Sequence, residues 1–239
     1  LLNNMPQRTT APSGKSGRQI MAEALTGKIR SNAAMLRQGA KNASEAASMA
    51  GSIANAASSL SATLSEMLAL AQKVQADPSQ SATASPAFKA LATTLAATVS
   101  GTQYNGISLL DGDAWSTDKR LTVSGDGATA TVPIQLGYGT STFSLYSLSG
   151  LKELTAVDLN TISPADLTAL ANSLADYGSI LATLNSNYTS LATSYTSEKN
   201  FMIEQGTSVI EPLAIASEYG LTRSSREDLR RLISTSHRR

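Results

Sequence analysis

At 239 residues the chain has room for one or two modest domains. Its composition is 41% hydrophobic but only 5% aromatic and 15% charged, which excludes a thick core of Phe and Trp and suits long helices packed through small side chains. The absence of cysteine excludes disulfide frameworks, zinc knuckles and thiol catalysis, and no apolar run approaches the roughly 18 residues of a helical membrane span. The net charge of +1 is unevenly placed: residues 1–41 hold seven Lys/Arg against Glu23 alone, and residues 221–239 hold six Arg against Glu227 and Asp228. The intervening body holds fifteen acids against six bases, so basic ends flank an acidic middle.

In chain order, residues 1–17 carry Pro6, Pro12, Gly14 and Gly17 without an apolar period and read as a linker, with no signal peptide evident. From Arg18 to Ala76 no proline intervenes. Within that stretch Ala46, Ala50, Ile53, Ala57, Leu60, Leu64, Met67, Ala71 and Val74 recur at spacings of three and four, a heptad seam that predicts one long helix packed along another. At 1.5 Å per residue that helix is roughly 85 Å long. Asp77-Pro78-Ser79-Gln80 stops it. A second helix is expected to open at Ser85-Pro86, the serine as N-cap, to bury Phe88, Leu91, Leu95 and Val99, and to end at Ser100-Gly101.

The pattern then changes to strand-like alternation. Leu121-Thr-Val, the turn Gly125-Asp126-Gly127, then Thr129, Thr131, Ile134 and Leu136 predict a β-hairpin, and Phe143, Leu145 and Leu148 a further short strand or turn. A third helix begins at Ser163-Pro164 with a seam of Leu167, Leu170, Leu174, Tyr177, Leu181, Leu184, Tyr188, Leu191 and Tyr195. The small seam residues of the first helix face larger ones of the third, so the volumes interdigitate. The expected fold is mainly α: a long antiparallel helical hairpin with a shorter helix and a small β-region packed at one end. The boundaries are a linker at 1–17, an N-terminal helical half at 18–110, a β-region at 111–160, a C-terminal helical half at 161–218 and an Arg-rich tail at 219–239.

Gly101-Thr-Gln103-Tyr104-Asn105-Gly106-Ile-Ser-Leu109-Leu110-Asp-Gly112 resembles the segment that joins the second N-terminal helix of bacterial flagellins to their β-region. Lys41-Asn42-Ala43 and the seam after it are similar to the first core helix of that family. Tyr177-Gly178-Ser179-Ile180 and Gly206-Thr-Ser-Val-Ile-Glu-Pro resemble its C-terminal core helix and the exit from it. The resemblance spans roughly residues 18–218. It implies a secreted, non-enzymatic subunit of the flagellar filament, located at the bacterial flagellum, exported by type III secretion and assembled by helix packing for motility. Implied partners are further copies of itself, an export chaperone, and cap and hook-associated proteins. The tail after Tyr219 departs from the family's apolar C-terminal helix. Leu68 and Ala69 stand where many flagellins carry an Arg-Glu pair read by a Toll-like receptor, so that recognition is expected to be lost.

Two alternatives are a hook–filament junction protein, which shares the core plan, and a nucleic-acid binder using the Arg-rich tail; the tail lacks interleaved aromatics and any binding module. In the basic N-terminal part of the first helix, Arg30, Arg37 and Lys41 are expected to meet the acidic body of a neighbouring copy. No catalytic, metal or cofactor constellation stands out. Gly14-Lys15-Ser16 lacks the earlier glycine of a phosphate loop, and His237 is alone. Asp111, Asp113 and Asp118 are loop acids whose simplest reading is solvation, with a cation site as the sharper one.

Overall fold

A computed structural model of the chain describes the backbone of residues 17–236 and the side chains of residues 23–208. It is mainly helical, with two small antiparallel sheets. The elements in order are α1 (Gly17–Ala76), α2 (Ser81–Gly101), β1 (Gln103–Tyr104), β2 (Ile107–Ser108), β3 (Thr122–Val123), β4 (Thr129–Leu136), β5 (Gly139–Tyr146) and α3 (Pro164–Ser236), with 3-10 turns at Pro78–Gln80, Gly112–Thr117 and Ser149–Ala156. None of these helices is long and apolar enough, over the described residues, to cross a membrane. The chain divides into two compact units, residues 38–202 and residues 1–37 with 203–239.

In the unit of residues 38–202, α1 and α3 run antiparallel. The Gln75 amide donates to the Thr168 hydroxyl at 3.0 Å, and the Asn185 amide to the Ala54 carbonyl at 2.7 Å. Gly39 faces Met202, so residue numbers fall along α3 as they rise along α1. All nine residues of the α1 seam from Ala46 to Val74 are buried. The α3 seam is buried too, save for Tyr177 and Leu191, which are half-buried. This alternation of small and large side chains allows the helices to approach closely, which is what the heptad spacing demands.

The second half of α1 is covered by α2, which returns alongside it: Glu66, Leu70 and Lys73 share one surface depression with Ala87, Ala90 and Leu91. Phe88, Ala92, Leu95 and Val99 are fully buried. The first half, from Gly39, is covered by the β4–β5 hairpin. That hairpin pairs in full register from Thr129↔Tyr146 to Leu136↔Gly139 and turns at Gly137, whose φ is +57°. The Asn42 amide donates to the Gln135 carbonyl at 2.8 Å, and Gly137 packs on Gly39. A methyl group on Gly39 would collide with the Gly137 amide nitrogen and come within 2.7 Å of the Met202 sulfur. Glycine is what lets the sheet's backbone lie against the helix.

Toward the end of this unit marked by Gly39 and Met202, the β-region takes over from α2 in covering α1 and α3. Several expectations need correction. Phe143 and Leu145 belong to a full eight-residue strand, β5. The inward face of β4 is Ala130, Val132 and Ile134, so Thr129 and Thr131 belong to the opposite face. Helix α2 starts at Ser81, with Pro86 inside it; Asp77 caps the preceding 3-10 turn, and the buried Ser85 hydroxyl donates to Asp158 at 2.7 Å. Helix α3 does start at Pro164, where Ser163 accepts the Asp166 amide N–H and donates to its carboxylate. It does not exit at 206–212, however, and its backbone stays helical to Ser236. Residues 1–16 of the expected linker, the Gly14-Lys15-Ser16 triplet and His237 lie outside the described residues, as do the side chains of the Arg-rich tail.

Candidate functional site

The segment between α2 and the larger sheet is knitted by local bonds. Asn105 and Gly106 have φ of +49° and +74°, the two-residue turn that closes a tight hairpin between β1 and β2. Asn-Gly is the strongest short-range signal for such a turn, and periodicity alone passes over it. Gln103 is exposed at the edge, Tyr104 is half-buried, and Leu109 and Leu110 are completely enclosed. The Leu109 amide reaches the Thr102 carbonyl at 2.9 Å, and the Leu148 amide reaches the Leu110 carbonyl at 2.7 Å. Trp115, 1% exposed, donates its indole N–H to the Ser108 carbonyl at 2.8 Å. The pattern from Gly101 to Gly112 is thus accounted for by a turn, a pair of core leucines and a seat for Trp115.

The loop acids are occupied by the chain's own cations. Lys152 bridges Asp111 at 2.7 Å and Asp113 at 2.6 Å. Burial alone would raise the Asp111 carboxyl, but hydrogen bonds from Lys152 and Ser100 hold it below the usual carboxylate range. The same carboxylates raise Lys152. Asp118 pairs with Arg120 at 2.6 Å, and Arg120 also donates to the Asn105 carbonyl. Among the described residues no group of His, Cys, Asp or Glu is arranged to hold a metal ion.

A groove of about 920 Å³ lies between β5 and α3. Its strand side presents Thr142, Ser144 and Tyr146, the outward-alternating residues of β5, and its helix side presents Ile180, Asn187 and Leu191. β5 is the edge of its sheet, and α3 blunts that edge: the Tyr188 hydroxyl donates to the Ser144 carbonyl at 2.6 Å, and the Tyr195 hydroxyl lies 3.3 Å from that of Ser141. Phe143 packs between these tyrosines, its ring centroid 5.9 Å from Tyr188 and 6.1 Å from Tyr195. Burial, with Tyr146 nearby, pushes the Tyr188 phenol well up, which keeps it a neutral donor. Tyr188 and Leu191, expected as plain helix–helix seam, therefore serve the sheet and the groove.

The exposed helix faces carry a second feature. Ser48, Ser52, Thr63 and Ser65 on α1 each donate to the carbonyl four residues back, as do Ser179, Thr183, Thr193 and Ser197 on α3. Their hydroxyls are spent within their own helices. Arg30, Arg37 and Lys41 are exposed; Leu68 is half-buried and Ala69 exposed.

Comparison with known proteins finds a match to the model of the single cache domain 4 family over residues 193–239, a minor part of the chain. No curated protein matches the chain. The match corrects the resemblance drawn from residues 101–112: what is found is a ligand-sensing extracellular domain family and not the flagellins, and the flagellar, filament and motility readings fall with it. The physical reason is visible in the same segment, whose Asn-Gly pair serves a tight turn and whose leucines serve the local core.

Proposed function

We propose that this chain is a non-enzymatic structural subunit that works outside the cytoplasm by packing its long helices against helices of further copies. The observation that carries the proposal is the inward-turned hydroxyls of α1 and α3. Burying a serine or threonine against a partner normally strands a polar group, at a cost of about 1–3 kcal/mol each. Here the donors are already satisfied, so a surface that is polar by composition presents small apolar groups to a neighbour and permits close helix approach. Exposed Arg30, Arg37 and Lys41 supply the electrostatic part by meeting acidic residues of the next copy.

Sedimentation velocity of the full chain over a wide concentration range tests this. Concentration-dependent association is expected, and Ser48→Glu with Ser65→Glu should abolish it while leaving the circular dichroism spectrum helical. A monomer at every concentration would end the proposal. The match over residues 193–239 favours a second reading, a ligand-sensing extracellular module. Binding of a small molecule by a chain that never self-associates would favour that reading over the first.

A further inference from the structure

We infer that the groove between β5 and α3 binds an uncharged small molecule with an apolar or aromatic body and a few hydrogen-bonding groups. The inference rests on the lining of the groove, which lies N-terminal to residues 193–239. Its volume of about 920 Å³ falls in the range of small-molecule sites, roughly 300–1,000 Å³. Fourteen residues line it, fewer than the roughly 20–30 per side of a stable protein interface, so a second copy does not fill it as a partner in its own right.

None of the lining residues is charged. A charged ligand would lose its hydration there without gaining a counter-charge. Leu148, Leu184 and Leu191 form an apolar floor, and Ile180 and Tyr146 stand at the rim, 52% and 49% exposed. Exposed apolar side chains that converge on one concavity are the usual mark of a binding site.

The polar groups divide into spent and unspent. The hydroxyls of Tyr188, Ser179 and Thr183 are each committed to a backbone carbonyl. The Tyr146 hydroxyl, the Asn187 amide and the Thr142 hydroxyl line the same groove and make no hydrogen bond among the described residues. A phenol, a carboxamide and an alcohol offer both donors and acceptors and read a neutral hydroxyl, carbonyl or amide. Because β5 supplies one wall and α3 the other, an occupant would also tie the sheet's edge to the helix.

Titration of the full-length chain with Nile red, a neutral apolar dye, tests the site. Saturable binding at one site per chain is expected, with affinity at least tenfold weaker for the anionic dye 1-anilinonaphthalene-8-sulfonate. Thr183→Trp, which fills the groove from an exposed helical position, and Ile180→Glu, which charges its rim, should each weaken Nile red at least tenfold with helicity unchanged. Absence of saturable binding, equal affinity in both variants, tighter binding of the anion, or a signal that follows self-association and not chain concentration would each overturn the inference.

Discussion

The two coverings of α1 in the unit of residues 38–202 solve one burial problem in different ways. Where α2 covers it, helix packs on helix, and the interior is filled by Phe88, Leu95 and Val99 with the seam residues Leu60, Leu64 and Met67, all at most 1% exposed. Where the hairpin covers it, a sheet edge must be satisfied as well as buried, and α3 answers with tyrosines, whose rings pack on Phe143 and whose hydroxyls reach the strand. Packing by wholly apolar side chains leaves no polar remainder, and the depression between α1 and α2, about 540 Å³, is the smaller of the two. Tyrosine packing spaces helix and strand apart, and the groove opens beside it. The difference teaches that the feature with the most binding potential arises where two kinds of secondary structure meet, and not along the regular helical seam.

The largest expected effect is in the helical half. Phe88→Ala should cost about 3–5 kcal/mol in urea unfolding, since the side chain is fully enclosed and its neighbours cannot all collapse inward. A loss below about 1 kcal/mol would break the contrast between the two coverings. Next comes Gly39→Ala, where the added methyl meets backbone that cannot rotate away. Overpacking of about 1–3 kcal/mol should outweigh the gain of about 1 kcal/mol in helix propensity, or else lift the hairpin from the helix. Hydrogen exchange faster in β4 and β5 than in α2 would locate the damage.

Tyr188→Phe removes one hydroxyl and keeps the ring, so a loss of about 1 kcal/mol is expected, with little change in α2 exchange protection. Acid should act between the two halves, at the Lys152 bridge. Asp111 has a lowered pKa in the folded chain, so its contribution is present above the ordinary carboxylate value of 3.8 and is lost as pH falls through the lower folded value. Lys152→Met should flatten the fall in stability below about pH 4, as read by thermal melts across pH. Smallest is Gly51→Ala: nothing lies within 4 Å of its added methyl, and a gain of about 0.5–1 kcal/mol is expected. Substituting Arg30, Arg37 and Lys41 together by Glu bears on the assembly proposal. Sedimentation should show weaker association with an unchanged melting temperature.

Local pattern reached a definite distance here. The heptad seams of α1 and α3, the stop at Asp77-Pro78 and the start at Ser163-Pro164 were legible because helical period and proline act within a few residues of themselves. The resemblance drawn from Gly101 to Gly112 misled for a related reason. Those residues are dictated by a tight turn and by two buried leucines, demands that are local and shared by unrelated chains. Of the groove, Tyr188, Leu184 and Leu191 were visible as seam positions, but their partners Thr142, Ser144 and Tyr146 lie about forty residues earlier in the chain. No period connects them.

What the sequence by itself determined is the set of long helices and their buried stripes, since spacing along one strand of chain suffices to define a face. Only the tertiary structure decided that the hairpin lies along the helices, that Gly39 and Gly137 meet, that Lys152 answers Asp111 and Asp113, and that Tyr188 ends on a strand carbonyl. Each of these depends on which residues far apart in sequence are brought within a few ångströms. That is set by how the faces pack against one another.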